Sequence, residues 1–143
     1  MLVGGRFLIE SIIDRKDTLL ILGAGSDQTY PIKIAQDEGL RVLAVDSNPN
    51  AQGFAFADEV SNVSNRDIDG LKILCDESSK RGYPIKGVLV MGTDIPHIAA
   101  ELAIHLNIPG PSVDTGKWTT NKFHMKEKLT QANVAVPWYA LVD

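Results

Sequence analysis

Two glycines near the start of the chain could form an anion-binding turn. Gly23 and Gly25 flank a single alanine, at the end of the apolar run Thr18–Gly23 and before residues at helical spacing. Glycines permit a tight turn, and the backbone N–H groups and partial positive charge at a helix start attract anions. The spacing therefore predicts a cradle for a phosphate or a polar substrate. The alternative is a turn that only connects a strand to a helix.

Asp46 makes dinucleotide binding a further hypothesis for this turn. It ends the next apolar run, at the spacing of the acid that binds the ribose in NAD-dependent enzymes. Two residues count against NAD. Gln28 replaces the third glycine of the dinucleotide fingerprint, where a side chain would crowd the packing of helix on strand. Asp27 would place a negative charge beside the pyrophosphate.

Polar residues follow the second and fourth predicted strands. Asn48 lies two residues after Asp46, and Thr93 and Asp94 come after the run Gly87–Met91. Ligands of parallel sheets bind outside the carboxyl ends of the strands, so these four side chains are candidate substrate contacts. Each pair also has an ordinary structural role, because Asp-Ser-Asn-Pro favours a turn and Thr-Asp favours a helix cap.

Residues 112–133 form the only locally basic stretch, and their pattern predicts two short helices. They carry four lysines and two acids: Lys117, Lys122, Lys126 and Lys128 with Asp114 and Glu127. The compact ammonium group of a lysine suits a phosphate, but an isolated lysine on a helix is most simply a solvated side chain. The histidines do not have the spacing of metal ligands, and we expect them at the surface or in helix packing: His97, His105 and His124.

Strands and helices alternate along the chain, and they must bring the strand-end residues together. Apolar runs predict strands at Thr18–Gly23, Arg41–Asp46, Glu59–Val63 and Gly87–Met91. Helical spacing predicts helices at Gln28–Glu38, Asp67–Arg81 and from Thr93 or Asp94 to Leu106. This order predicts an α/β fold of the Rossmann-like, doubly wound type, with helices on both faces of a parallel sheet.

The helical spacing also predicts which side chains face the sheet. Ile32, Ile34 and Ala35 of the first helix are available for the sheet, and Cys75 lies on the apolar face of the second helix. We therefore expect Cys75 to be a small buried hydrophobe rather than a nucleophile. Pro96 is compatible with the third helix only in its first turn.

The bulk composition indicates a soluble protein of one domain. The 143 residues have a net charge of -4 and a pI of about 5.3, which argues against a large nucleic-acid surface. No apolar stretch approaches the length of a membrane span, and residues 1–17 lack the features of a signal peptide. With a single cysteine no disulfide can form within the chain, so a cytoplasmic location is the simplest expectation.

Four segments, in this order, resemble the N-terminal (pre-ATP-grasp) domain of ATP-grasp superfamily enzymes. They are ILGAGSDQ, VLAVDSNPNAQGFAFADEV, VMGTDIPHIAAELAIHLNIPGPS and TTNKFHMKEKLTQANVAVP, and together they run from about Thr18 to Pro137. The last segment is the most specific, because Asn121-Lys122 and the residues up to Pro137 match a lysine frame of the superfamily. The chain looks most similar to the carbamoyl phosphate synthetase large subunit and to biotin carboxylase.

The resemblance implies an ATP-dependent ligase that activates a carboxylate or bicarbonate as an acyl phosphate, for attack by an amine or another nucleophile. ATP and Mg²⁺ would be bound mainly by other domains, with Lys122 on the ATP phosphates and no catalytic residue or metal ligand in this chain. Seven residues are the expected substrate contacts: Gly23, Gly25, Gln28, Asp46, Asn48, Thr93 and Asp94. The partners would be a small carboxylate or amine, without nucleic acid or membrane, and related enzymes are often homodimers through this domain.

The resemblance also implies a division of the chain. Residues 1–17 would be an N-terminal extension, 18–111 the Rossmann-like domain, and 112–143 a helical connector with the start of the ATP-grasp domain. The β-like stretch Val134–Val142 suggests that the chain is cut short, and we expect this chain alone to be inactive. Residues Ile95–Ala100 lack the glutamate of the biotin carboxylase pattern, which disfavours biotin carboxylation.

Two hypotheses from other classes stay open beside the ligase. One is the NAD(P)-binding domain of an oxidoreductase, and the other is a stand-alone, non-catalytic α/β module that binds a ligand. The missing third glycine and the frame around Lys122 favour the ligase over the oxidoreductase. The β-like end of the chain favours the ligase over a stand-alone module.

Overall fold

The computed structural model describes residues 17–142, which form one parallel sheet with helices on both faces. The strands of this part of the chain are β1 (Thr18–Leu22), β2 (Arg41–Val45), β3 (Glu59–Ser61) and β4 (Ile85–Val90). Their spatial order is β3-β2-β1-β4. The continuous apolar runs form the two central strands, because only there is a strand covered on both faces. The predicted Rossmann-like α/β fold is confirmed.

The strand ends lie level with one another at one edge of the sheet. Leu22 of β1 pairs with Val45 of β2 and with Val90 of β4, and Val45 pairs with Ser61 of β3. The loops after these strands therefore begin side by side. The strand order reverses at β1, because β2 and β3 lie on one side of it and β4 lies on the other. Open α/β sheets bind their ligands at such a reversal.

The helices are α1 (Thr29–Asp37), α2 (Ile68–Lys80), α3 (Pro96–Leu106), α4 (Val113–Thr120) and α5 (Lys122–Gln131), with a 3-10 helix at Gln52–Ala55. Three helices begin at a side chain that accepts a first-turn backbone N–H: Asp67, Ser112 and Asn121. Four end next to a residue with positive φ, which stops the helical ladder: Gly39, Gly82, Asn107 and Asn133.

The sheet separates two apolar layers, since successive side chains of a strand point to opposite faces. Helices α2 and α3 cover one face, where Leu71 and Leu102 pack with strand residues such as Leu20. Helix α1 and the 3-10 helix cover the other face, where Ile32 packs with Ile21. This arrangement leaves the carboxyl edge of the strands to loops.

Two predictions about buried side chains have different outcomes. Cys75 is fully buried, as expected, and this burial, with a smaller effect of the Asp76 carboxylate, raises the pKa of its thiol to about 11. The prediction that Ile34 faces the sheet is wrong, because its side chain is 43% exposed. Ile32 and Ala35 share the buried face since three residues nearly complete a helical turn, whereas Ile34 lies on another side of the helix.

The prediction that Thr93 or Asp94 caps α3 is also wrong. The helix begins after Ile95 without a side-chain cap, and Pro96 occupies its first turn, as expected. Proline brings a preset φ and has no N–H, so this helix start has one backbone donor fewer for a cap to satisfy.

The β-like stretch Val134–Val142 forms no strand. A strand needs a neighbour for its backbone groups; in residues 17–142 this stretch pairs with no strand, and Pro137 has no N–H to donate. Tyr139 instead packs edge-on against Phe123 of α5, with 5.5 Å between the ring centroids.

Two expectations concern the start of the chain, namely the N-terminal extension and the absence of a signal peptide. Residues 1–16 lie outside the described residues, as does residue 143, so both expectations stay predictions. None of the helices in residues 17–142 has the length and apolar character needed to cross a membrane.

Candidate functional site at the strand ends

The turn after β1 has the shape that its two glycines predict. Gly23 has a φ of 108°, in the region that favours glycine, and its N–H donates to the Val45 carbonyl at 2.9 Å. The chain then enters α1 within a few residues, where the Gln28 N–H donates to the Gly25 carbonyl at 3.2 Å. The turn is therefore fixed to β2 on one side and to α1 on the other.

Asp46 closes this turn from the neighbouring strand end. Its Oδ2 accepts the Ala24 N–H at 2.9 Å, and its Oδ1 accepts the Asn48 N–H at 2.9 Å. The Ala24 N–H is one of the donors that a bound anion would use at a glycine turn. Here the chain's own carboxylate takes that donor. Asn48 is exposed, and its Oδ1 accepts the Asn50 N–H at 3.0 Å, as in an ordinary turn.

Gln28 fills the hollow beneath the turn. Its side chain is only 5% exposed, and its Nε2 donates to the Met91 carbonyl at 2.5 Å, which joins the loop after β1 to the loop after β4. A Cβ on Gly25 would lie 3.2 Å from Gln28 Oε1, and a Cβ on Gly92 would lie 3.1 Å from Nε2. The expected crowding of helix on strand does not arise, because the amide lies between the two loops.

The loop after β4 contributes a glycine turn and polar side chains. Gly92 has a φ of 72°. A Cβ on Gly92 would lie 3.7 Å from Asp27 Oδ2, so the Asp27 carboxylate lies against this loop. Asp94 is exposed, whereas Thr93 Oγ1 is buried without a hydrogen-bond partner among residues 17–142. A buried hydroxyl without a partner is costly unless water or a ligand satisfies it.

Gly92 and His97 are not among the predicted site residues. The sequence VLVMG carried a signal for Gly92, because a glycine directly after an apolar run repeats the pattern at Gly23. His97 Nδ1 is buried and, within the described residues, has no hydrogen-bond partner. The His97 backbone packs closely against α4, because a Cβ on Gly116 would lie 2.6 Å from the His97 nitrogen. No sequence pattern distinguishes this histidine from one in ordinary helix packing.

Lys122 is the first residue of α5, and the residue before it fixes the start of that helix. Asn121 Oδ1 accepts a first-turn backbone N–H at 3.1 Å, which gives the asparagine of the lysine frame a structural role. The Lys122 side chain is exposed and makes no hydrogen bond or ion pair with residues 17–142. Lys126, by contrast, lies over the Tyr139 ring, 5.4 Å from its centroid. Lys122 therefore presents an ammonium group without a partner among residues 17–142, on a helix start whose backbone Asn121 fixes.

The structure brings most of the predicted substrate contacts to the reversal point between β1 and β4. Four of them share direct contacts with each other or with the loops there: Gly23, Gly25, Gln28 and Asp46. Two others follow Gly92 in the adjoining loop, and Asn48 lies further out in an exposed turn. Lys122 lies on another element, α5, which packs against α4, and α4 packs against α3. Contact of these residues with a substrate stays a prediction.

The described residues fit one part of an ATP–Mg²⁺ complex. Lys122 offers a cation for phosphate oxygens. Residues 17–142 contain no group of three or more His, Cys, Asp or Glu side chains that could hold a metal ion.

In a comparison with known proteins, the chain matches several solved structures. No family model matches the chain, and no curated protein matches it. The chain is similar to phosphoribosylglycinamide synthetase from Anaerococcus prevotii, with 26% identity and a TM-score of 0.62, over 82% of this chain and 29% of that one. It is also similar to N5-carboxyaminoimidazole ribonucleotide synthetase in an ADP complex, with 19% identity and a TM-score of 0.70, over 90% and 32% of the two chains.

A third match is an L-amino acid ligase from Bacillus licheniformis, with 19% identity and a TM-score of 0.66, over 87% of this chain and 32% of that one. All three are ATP-grasp enzymes. The chain shares its fold with part of such enzymes. The resemblance of its sequence to an N-terminal ATP-grasp domain is confirmed at the level of the fold, and the chain spans about a third of the length of the ATP-grasp structures that it matches.

Proposed function

We propose that this chain belongs to an ATP-dependent ligase that activates a carboxylate or bicarbonate as an acyl phosphate. It forms one wall of the cleft for the acceptor, by which we mean the nucleophile that attacks the acyl phosphate. The observation that carries the proposal is the meeting of the β1, β2 and β4 ends at a closed, polar turn, within a fold shared with ATP-grasp enzymes. The activity belongs to a longer enzyme, and no catalytic residue is assigned to this chain.

The proposed reaction has two steps, phosphorylation of the carboxylate and attack of the nucleophile on the acyl phosphate. ATP would supply the phosphoryl group, Mg²⁺ would stabilise the negative charge of its phosphates, and Lys122 is the described residue that would contact them. One carboxylate oxygen of the substrate bonds to the γ-phosphorus, and ADP leaves. An attacking amine then bonds to the carbonyl carbon of the acyl phosphate and gives up a proton to solvent, while the bond from that carbon to the bridging oxygen breaks and inorganic phosphate leaves with the oxygen that came from the carboxylate. The strand-end wall holds the acceptor in place during the second step, which lowers the entropic cost of the attack.

Lys122 has a separate role in this proposal. Its exposed ammonium stands at a helix start that Asn121 fixes, and it carries no ion pair that would compete with a phosphate within the described residues. We assign it to the ATP phosphates rather than to the acceptor because it matches the lysine of the superfamily's frame, and it lies on α5, which packs on α4. A lysine in this role acts as a point charge, so a neutral side chain should weaken ATP binding.

The closed turn also supports the ligase over an NAD-dependent oxidoreductase. A dinucleotide needs the free backbone donors and open space of its glycine turn for the pyrophosphate. Asp46 takes the Ala24 N–H, and the buried Gln28 amide takes the space between the loops. Asp27 adds a negative charge beside that space.

The test measures phosphate release from Mg-ATP by the protein expressed from the complete reading frame, with small carboxylates, bicarbonate and amines as substrates. We expect release that requires a carboxylate or bicarbonate. Lys122→Ala should raise the KM for ATP about tenfold, which corresponds to about 1.4 kcal/mol. The matched variant Lys117→Ala, another exposed lysine of the basic stretch, should leave that KM unchanged. Absence of carboxylate-dependent release, together with saturable binding of NADH to this chain, would overturn the proposal.

A further inference from the structure

The outer face of α1 carries an apolar patch that the fold leaves uncovered. Tyr30 is 71% exposed and Ile34 is 43% exposed, and their spacing of four residues makes them neighbours on one side of the helix. Phe56, the residue after the 3-10 helix, is 40% exposed and extends the patch, because Lys33 Nζ lies 4.0 Å from the centroid of its ring. Large apolar side chains that are exposed together are typical of an interaction surface.

Another exposed isoleucine shows what an isolated apolar side chain looks like in this fold. Ile73 of α2 is 59% exposed. Its neighbours three and four residues away on the helix carry no apolar side chain, since they are Asp69, Gly70, Asp76 and Glu77. A single exposed apolar residue of this kind needs no partner. Ile73 is therefore a matched control for Ile34.

Polar groups without partners lie at the two ends of the patch. The Tyr30 hydroxyl and the Asp37 carboxylate make no hydrogen bond or ion pair with residues 17–142. Lys33 lies four residues before Asp37, but its ammonium group lies over the Phe56 ring. One hydrogen-bond donor and one charged acceptor thus remain unused at opposite ends of the same helix face.

The patch is complementary to itself when two copies of α1 lie antiparallel. A twofold axis halfway between Tyr30 and Asp37 sets the hydroxyl of each copy against the carboxylate of the other. Lys33 and Ile34 straddle the same point, so this axis also lays the aliphatic part of Lys33 on Ile34 of the second copy. A surface that meets itself across a twofold axis forms a closed pair and leaves no patch open for further copies.

We infer that the outer face of α1 binds a second copy of this chain, through a twofold antiparallel contact between the two α1 helices. The nine residues of α1 are only about 14 Å long, whereas a stable interface usually buries about 800 Å² on each partner. The association is therefore weak and reversible. The inference does not rest on the proposed function, because no residue of the strand-end wall takes part in the contact.

Sedimentation equilibrium of the full chain, at concentrations from micromolar to millimolar, measures this association. We expect a monomer–dimer equilibrium for the wild type. Ile34→Lys places an ammonium group against Lys33 of the second copy, and it should raise the dissociation constant of the dimer at least about tenfold. The control Ile73→Lys adds the same charge elsewhere and should leave that constant unchanged. A wild type that stays monomeric at millimolar concentration, or equal effects of the two variants, would overturn the inference.

Two further variants test the antiparallel register. Lys33→Glu offers a carboxylate to the ammonium group that Ile34→Lys introduces, so these two chains should associate more tightly with each other than the Ile34→Lys chain does with itself. Tyr30→Phe keeps the apolar area but removes the hydroxyl, and it should raise the dissociation constant at least about threefold. Circular dichroism should show that all variants are folded, since each changed side chain is exposed. A mixture without tighter association would contradict the antiparallel contact.

Discussion

At the scale of single residues, the site depends on two side chains that join loops of neighbouring strands. Asp46 binds backbone N–H groups on two loops, and Gln28 binds a carbonyl 63 residues further along the chain. The sequence indicated both positions, Asp46 by its spacing and Gln28 as a departure from the glycine pattern. It could not indicate their partners, because those depend on which strands become neighbours.

The first prediction concerns the buried Gln28 amide. Gln28→Ala removes the hydrogen bond to Met91 and leaves a cavity between the two loops, so we expect the free energy of unfolding to fall by about 2 to 3 kcal/mol. Urea denaturation of the chain measures this change. The exposed Gln52→Ala should change stability by less than about 0.5 kcal/mol. Equal effects of the two variants would contradict the assigned role of Gln28.

A second prediction at this scale concerns pH and the buried thiol. The pKa of Cys75 rises from 9.0 to about 11 on folding, so between these values the unfolded chain loses the thiol proton and the folded chain keeps it. The unfolded state then binds fewer protons, and stability falls as pH rises through this window. The contribution is at most about 2 to 3 kcal/mol, at about 1.4 kcal/mol per pH unit.

The measurement compares urea unfolding of the wild type and Cys75→Ala between pH 9 and 11. The variant lacks the thiol but keeps the lysines and tyrosines that titrate in the same range. We expect a steeper loss of stability with pH in the wild type. Parallel curves would show that the thiol titrates alike in the folded and unfolded states.

At the scale of elements, the sequence predicts the strands and helices that follow from the periodicity of apolar residues. The buried strands β1 and β2 and the amphipathic helix α2 follow from apolar runs and helical spacing, and their ends differ by only a residue or so from expectation. The β-like stretch 134–142 shows the limit of prediction from local periodicity, because a strand forms only where a neighbouring strand can pair with it. The start of α3 shows another, since Pro96 determines that helix start without a cap.

The contact between α3 and α4 gives a prediction at this scale. Gly116 of α4 lies against the backbone at the start of α3, where an added Cβ would come within 2.6 Å of His97 atoms. Backbone cannot yield as a flexible side chain can, so Gly116→Ala should cost about 1 to 3 kcal/mol despite its better helix propensity. Urea denaturation measures the loss, and hydrogen exchange should show faster exchange in α4.

Lys117→Ala is the matched control on the same helix, because Lys117 is exposed and alanine favours a helix at least as well. It should leave both stability and the exchange of α4 unchanged. A stable Gly116→Ala variant with unchanged exchange would show that α4 can move away from α3 at little cost.

At the scale of the whole molecule, the fold class was predictable and the shape of the site was only partly so. Alternating strands and helices predict a parallel sheet, and the general rule for such sheets predicts that ligands meet the carboxyl ends. No local sequence pattern predicts the strand order β3-β2-β1-β4. The contacts of Gln28 with Met91 and Gly92 depend on that order, so only the three-dimensional structure shows them. Lys122 belongs to a different part of the molecule, and its role depends on the resemblance and on its free ammonium.

The central claim is that the enzyme activates a carboxylate as an acyl phosphate, and an oxygen-transfer measurement tests it most directly. The protein from the complete reading frame is incubated with Mg-ATP, an amine and a carboxylate labelled with ¹⁸O, and the released phosphate is analysed by mass spectrometry. We expect one ¹⁸O atom in each phosphate, because the carboxylate oxygen leaves with phosphorus. Unlabelled phosphate, both here and in a parallel reaction with ¹⁸O-labelled bicarbonate in place of the carboxylate, would mean that water attacks ATP, and it would contradict the proposed activation.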